Sequence, residues 1–354
     1  MPSSLKDVAG LAGVSIKTVS NVVHGYAFVS DATRAKVSAA LHALDYRPNL
    51  SARGLRTGRS NLIALAIPTL DEPYFGEIAS LIVNAAESRG LTVLIDQTGG
   101  DRGRERQAAE GVRGNLIDGV IASPLAMTSD DVSDLARRRP MVLLGERFNR
   151  AAADHVAVDS VGAAHDAVCH LIELGRSRIG FIGAETDIGT AALRLAGYRK
   201  ALAEAGQRFR SRLVVRTSPF RRSEGAAAVQ RLMSGSPIPD AVFCVNDLLA
   251  LGAIRALVAR GIRVPEDVAV VGFDDIEDGR FSWPTLTSVR PDKSGIAERA
   301  VELLQQRILR STDEPARDVV AGHTLAVRQS TDAAAEGPFA ADQAGAGPAM
   351  VRAP

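Results

Sequence analysis

The sequence predicts an all-α head followed by an α/β body of two Rossmann-like lobes, and three observations predict it. In the first 48 residues, apolar side chains recur at helical spacing in three short runs separated by turn residues. From residue 61, short apolar runs alternate with helical patterns, which marks βαβ units and parallel sheets. The 354 residues are 46% hydrophobic and 23% charged, which suits a globular chain and excludes a disordered chain or a coiled-coil rod. At roughly 150 residues per domain, this length fits two or three domains.

The head, residues 1–48, explains its own helices. Ser4-Leu5-Lys6-Asp7 fits a capping box, and Leu5, Val8, Ala9 and Ala12 follow as a buried face. Gly13 can take the positive φ that a tight turn needs. Ser15 caps a second helix with Val19, Val22 and Val23 inward, and Gly25 ends it. Ser30 caps a third, with Val37, Ala40, Leu41 and Leu44 inward, and Pro48 stops it. Two helices joined by Gly13-Val14-Ser15 form a helix-turn-helix, whose second helix fits the DNA major groove.

The side chains left outside the buried face are Ile16, Lys17, Thr18, Ser20 and Asn21, with Ser15 at their cap. Lys can bond guanine, Asn can bond adenine bidentately, and Ile can touch a thymine methyl. Thr and Ser suit phosphate oxygens. An ordinary three-helix bundle with a solvated polar face is the competing reading. Charge weighs against it. The formal net charge is only +1, yet residues 1–60 hold eight Lys/Arg against three Asp/Glu, while the other 294 hold 34 against 38. A basic head on a mildly acidic body is an electrostatic footprint of nucleic-acid binding.

The run Leu5-Lys6-Asp7-Val8-Ala9-Gly10-Leu11-Ala12-Gly13-Val14-Ser15-Ile16-Lys17-Thr18-Val19-Ser20-Asn21-Val22-Val23-His24-Gly25 resembles the headpiece signature of the lactose/galactose repressor (LacI/GalR) family. The likeness continues through Val29-Ser30, Thr33-Arg34, Val37 and Leu44-Asp45-Tyr46-Arg47-Pro48-Asn49. It implies a sequence-specific DNA-binding transcriptional regulator, a repressor, acting as a homodimer on a pseudo-palindromic operator of double-stranded DNA.

Residues 49–60 are rich in Arg, Gly and Ser and by composition read as a flexible linker. The resemblance implies a hinge that folds into a helix on the operator, with Leu55 as a minor-groove wedge. Gly54 should weaken that helix by about 1 kcal/mol, which favours folding on binding.

In the body, residues 61–330, two strand series are expected. One comprises 62–67, 92–95, 120–122 and 141–144; the other 156–158, 179–182, 213–215, 241–245 and 268–271. Ligands of open α/β sheets bind beyond the carboxyl ends of the strands. Those ends fall at 68–75, 123–124, 183–194, 245–247 and 272–275. The resemblance extends here through Arg194-Leu195-Ala196-Gly197-Tyr198, Asn246-Asp247, Val271-Gly272-Phe273-Asp274-Asp275 and Pro284-Thr285-Leu286-Thr287-Ser288-Val289. It implies a periplasmic-binding-protein-like core with effector contacts at Tyr74, Phe75, Arg194, Phe220, Asn246 and Asp274. Aromatic rings stack on a sugar or base, while Arg, Asn and Asp bond hydroxyls. The family weighting makes the small-molecule effector a sugar, with a nucleobase as the alternative.

Plainer roles stay open for several of these. Arg194 and Asp274 can simply pair with each other, Phe220 can pack its loop, and Tyr74 and Phe75 can pack the first helix. Trp283 can line the cleft, the core or an interface. A solute-binding sensor without DNA activity is the rival function. No catalytic constellation, nucleotide loop or metal-ligand spacing is found, so neither an enzyme nor a cofactor or metal is expected. His165 and His170 are off one helix face, with no acid seen to complete a site. Two cysteines, no membrane-length apolar run and no secretory leader place the chain in the cytoplasm. Residues 331–354, rich in Ala, Gly and Pro, read as a disordered tail.

Overall fold

The computed structural model describes residues 3–23, 26, 28–46, 59–111, 116–145, 152–183, 189–309 and 314–335. The chain forms two compact units, Met1–Ser60 and Asn61–Pro354. The expectations for Gly25, Pro48, the hinge with Leu55, and the tail beyond 335 lie outside the described residues.

The first unit holds α1 (Leu5–Ala12), α2 (Ile16–Val23) and α3 (Asp31–Ala43). Ser4 and Asp7 form the reciprocal capping box, and those hydrogen bonds from Ser4 hold the Asp7 carboxyl below its usual range. Gly13 closes α1 at φ 65°, inside the left-handed region. Ser15 caps α2 by accepting from Thr18 N–H at 3.1 Å, and Ser30 caps α3 by accepting from Thr33 N–H at 3.3 Å. Val8, Ala9, Val19, Val22, Val37 and Ala40 make the core that the spacing called for.

The second unit contains two six-stranded sheets. Its first strands and helices are β1 (Leu62–Ile67), α4 (Pro73–Glu87), β2 (Thr92–Gln97), α5 (Arg102–Glu110), β3 (Gly119–Ala122), α6 (Ser129–Arg138), β4 (Met141–Leu144) and β5 (Asp154–Val158). Then follow α7 (Ser160–Glu173), β6 (Ile179–Ile182), α8 (Thr190–Glu204), β7 (Val214–Val215), α9 (Arg222–Met233), β8 (Ala241–Cys244) and α10 (Asp247–Val258). The last elements are β9 (Ala269–Phe273), α11 (Glu277–Arg280), β10 (Thr287–Pro291), α12 (Lys293–Leu309), β11 (Asp318–Ala321) and β12 (His323–Ala326).

The first sheet is ordered β11-β5-β4-β3-β1-β2 and is all parallel. The second is ordered β12-β10-β9-β8-β6-β7, parallel except for β12. Period-2 alternation explains the layers. In β1, Ile63, Leu65 and Ile67 enter one core while Ala64 and Ala66 enter another, so helices cover both faces.

Two expectations need correction. Val156–Val158 was grouped with the second series, but it belongs to β5, which pairs with β4 through Leu143↔His155 in the first sheet. Chain order cannot reveal this, because sheet membership is decided by the pairing partner. The later elements β10, α11, α12, β11 and β12 fell outside both series. Of these, α12 packs back on β3, β4 and β5, and β11 joins the first sheet. The chain thus crosses between lobes three times, after β5, between β10 and α12, and between β11 and β12. Packing also runs past residue 330. Thr331 is buried, its Oγ1 2.7 Å from Thr287 Oγ1 and 3.0 Å from His170 Nε2.

Candidate functional site

On α2 the six headpiece candidates lie away from the core formed by Val19 and Val22. Ser15, Ile16 and Lys17 are exposed, and Thr18, Ser20 and Asn21 are half-buried. Ile16 is 49% exposed, so its apolar surface is open to a partner. Lys17 has no ion-pair partner among the described residues. The Ser15 and Thr18 hydroxyls are 2.9 Å apart, so part of their capacity is spent within the turn.

In the second unit, Tyr74, Phe75, Arg194, Phe220, Asn246 and Asp274 all line one cavity of about 210 Å³. It lies at the carboxyl ends of β1, β3, β4, β8 and β9, and Thr190 adds the start of α8. The two lobes contribute different chemistry.

The second lobe brings polar groups already engaged. Arg194 is buried, stacks 3.3 Å over the Phe273 ring, donates to Ser160 Oγ at 3.3 Å and to Val245 O, and stands 3.9 Å from Asp274 Oδ1. The pairing of Arg194 with Asp274 thus exists and does not remove either from the cavity. Asn246 Oδ1 accepts from Leu249 N–H at 3.0 Å to cap α10, and its amide donates to Phe220 O at 3.3 Å. Asp274 and Asp275 have φ of 109° and 46°, both in the left-handed region that non-glycine residues avoid. Such strain persists only where surroundings over-determine it. Here Asp274 N–H bonds Val289 O at 2.9 Å, and the Asp275 carboxylate binds Arg280, Arg290 and Arg328. Burial opposes ionisation of Asp275, but Arg328 and Arg290 hold its carboxyl below the usual range. Behind them, burial and then the Asp274 charge push the Asp247 carboxyl well above its usual range.

The first lobe is mostly apolar. Tyr74 and Phe75 meet edge-on with centroids 5.4 Å apart, beside Ile67, Pro68, Ile78, Pro124, Leu125 and Leu144. Its side-chain polar groups in the lining are Glu72, Ser123 and the Tyr74 hydroxyl. Glu72, Ser123 and Thr190, and the supports Ser160 and Phe273, were not singled out as contacts from sequence. Glu72 and Ser123 do lie in the strand-end segments that were flagged. Trp283 is 81% exposed and does not line the cavity, so its cleft and core readings fall away. Near His165, Asp166 is adjacent in the sequence and the fold brings up Glu204. Asp166 is 3.1 Å and Glu204 2.7 Å from its ring nitrogens. Among the described residues no group of three such side chains is set to hold a metal ion.

The model of bacterial regulatory proteins of the lacI family matches residues 4–49, and that of the periplasmic binding protein-like domain matches 168–331. The chain is 33% identical to the HTH-type transcriptional repressor PurR of Mannheimia succiniciproducens, over 86% of this chain and 92% of that protein. The chain belongs to the LacI family. A second LacI-family relative, the ribose operon repressor of Haemophilus influenzae, is 32% identical over 93% of this chain and 98% of that protein. The structure of the lac repressor dimer bound to operator and an anti-inducer matches with a TM-score of 0.83 and 27% identity, covering 94% of this chain and 99% of that one. This LacI-family chain is therefore a DNA-binding transcriptional regulator with an effector-binding core. No helix among the described residues is long and apolar enough to cross a membrane.

Proposed function

We propose that the chain represses transcription as a cytoplasmic homodimer on a pseudo-palindromic operator, under control of a sugar bound between its lobes, and that it is not an enzyme. Lys17, Asn21 and Ile16 read base edges, Ser15, Thr18 and Ser20 meet phosphates, and Leu55 wedges the minor groove. The observation that carries the reading is the convergence of all six effector candidates on one cavity at the strand ends. A cavity of about 150 Å³ takes a benzene-sized guest, so this one has room for a single ring with hydroxyls. Aromatic walls opposite Arg, Asn and Asp suit such a ring. Exposed Phe281 and Trp283, 61% and 81% accessible, supply apolar surface for a second subunit.

Two measurements test this. Gel shifts at stated salt with operator-like palindromes should show specific retardation by the full chain; none under any ligand condition leaves only a solute sensor. Lys17→Ala should cost about 1–3 kcal/mol at one half-site position and relax its base preference. Uniform weakening on all sequences would remove Lys17 from base readout. A thermal-shift panel of sugars and nucleobases decides the effector class.

A further inference from the structure

Among the described residues, one charged cavity side chain has no hydrogen-bond or ion-pair partner. Glu72 ends the segment between β1 and α4 and is half-buried in the cavity lining. It sits at the N-cap position of α4, yet its side chain makes no capping bond. Among the described residues its carboxylate has no hydrogen-bond or ion-pair partner. A carboxyl group withdrawn from water without partners is costly, so a site that keeps one has a use for it when filled.

Its neighbours define that use. The charged groups of the lining are Glu72, Asp274 and Arg194. Arg194 donates from Nε to Ser160 and from Nη1 to Val245 O and stands 3.9 Å from Asp274 Oδ1, so the lining sets two carboxylates against one guanidinium. Outside the lining, the charges of Asp71 and of Arg221 act on Glu72 with opposite sign. An anion entering this cavity meets carboxylates on both lobes and a single guanidinium that already stands beside Asp274. A hydroxyl or ammonium group meets an acceptor with open lone pairs.

Resting on the reading of the cleft as the effector site, we propose that Glu72 is the first lobe's charged contact to the effector and that it restricts the effector to uncharged or amino-bearing hydroxylated rings, excluding phosphorylated and carboxylated ones.

The test is calorimetric titration of the full-length protein with neutral hexoses and pentoses, their terminal phosphates, amino sugars, adenine and hypoxanthine. It is repeated on Glu72→Ala, Glu72→Gln and Phe220→Ala. Neutral or amino sugar binding is expected in the wild type, weakened by Phe220→Ala and reduced about 10–100-fold by Glu72→Ala. Glu72→Gln keeps the acceptor, loses less than tenfold, and gains measurable binding of the phosphates. Sugar binding that falls in Phe220→Ala but is unchanged in both Glu72 variants overturns the role of Glu72 and leaves the cleft standing. A phosphate that binds the wild type as tightly as its neutral parent also overturns it. Binding indifferent to Phe220→Ala, or none from any probe, removes the cleft reading and this proposal together.

Discussion

The two lobes share a topology and differ in where they place their buried charge. In the first lobe, Asp154 is fully buried and bound by Arg307 and Arg317. It starts β5, at the amino end of the sheet, away from the cavity. In the second lobe, Asp275 is equally buried, bound by three arginines, and adjacent to the cavity residue Asp274. The same device knits the far end of one lobe and the ligand-facing end of the other. Helix packing follows suit. A Cβ on Gly252 of α10 would lie 1.9 Å from Arg222 O, and one on Gly225 of α9 2.0 Å from Leu249 O. On α4, a Cβ at Gly76 would meet only Leu70 O at 3.8 Å. Among the described residues, the second lobe's polar groups in the cavity are held by neighbours of their own lobe, while the first lobe offers a mostly apolar wall with one acid that has no hydrogen-bond or ion-pair partner.

If that contrast is right, the largest effects come from the second lobe. Arg194→Ala leaves Asp274, Val245 O and Ser160 without their partner and should cost about 3–5 kcal/mol of stability. Effector binding should vanish, while operator affinity of the folded fraction stays. Phe75→Ala, across the cavity, should weaken effector binding with a much smaller loss of urea midpoint. Equal stability losses would erase the distinction between the lobes.

Glycine substitutions sharpen it next. Gly252→Ala must push α9 and α10 apart and should cost about 3 kcal/mol. Gly76→Ala, in an open helical position, should be neutral or gain up to about 1 kcal/mol. Thermal melts of the two variants give the comparison directly.

How much of this was legible in sequence differs by region for a physical reason. The headpiece is a contiguous motif whose caps, turn and core are all local, so Ser4, Gly13, Ser15 and Ser30 announce it. The cavity gathers residues from strand ends as far apart as Tyr74 and Asp274, and the resemblance, not periodicity, picked its six candidates. What stayed hidden depended on pairing between distant segments. Sheet membership of β5 is set by β4 and β11, and His165 meets Glu204 through packing of α7 on α8. Glu72 is not legible in sequence because its interest lies in having no hydrogen-bond or ion-pair partner among the described residues, which only coordinates reveal.

The first lobe's own knot can be read by acid. Burial works against ionising Asp154, but bonds from Arg307 and Arg317 win and hold it at about 2. The unfolded value is about 3.9. Because the folded value is the lower, its contribution is present above the unfolded value and is lost as pH falls from about 4 toward 2. Its size is about 2 kcal/mol. Urea midpoints across that range should fall less steeply in Asp154→Asn than in the wild type. Parallel curves would mean that the arginines do not stabilise the ionised form.

The smallest effect probes the unpartnered acid itself. Burial first, then the nearby charge of Asp71, push the Glu72 carboxyl above its usual range, with Arg221 opposing. A raised value means the ionised acceptor is lost at a higher pH than for an ordinary glutamate, whose value is about 4.3. Affinity for a neutral sugar should therefore decline on acidification at a higher pH than an ordinary glutamate would give, by less than tenfold, since the protonated group still accepts through its carbonyl oxygen. Glu72→Gln should flatten that decline and leave the affinity at its low-pH plateau throughout. A decline of the same size in Glu72→Gln would assign the titration to another group, with the raised Asp247 carboxyl of the second lobe first in line, and leave the first lobe without a charged contact.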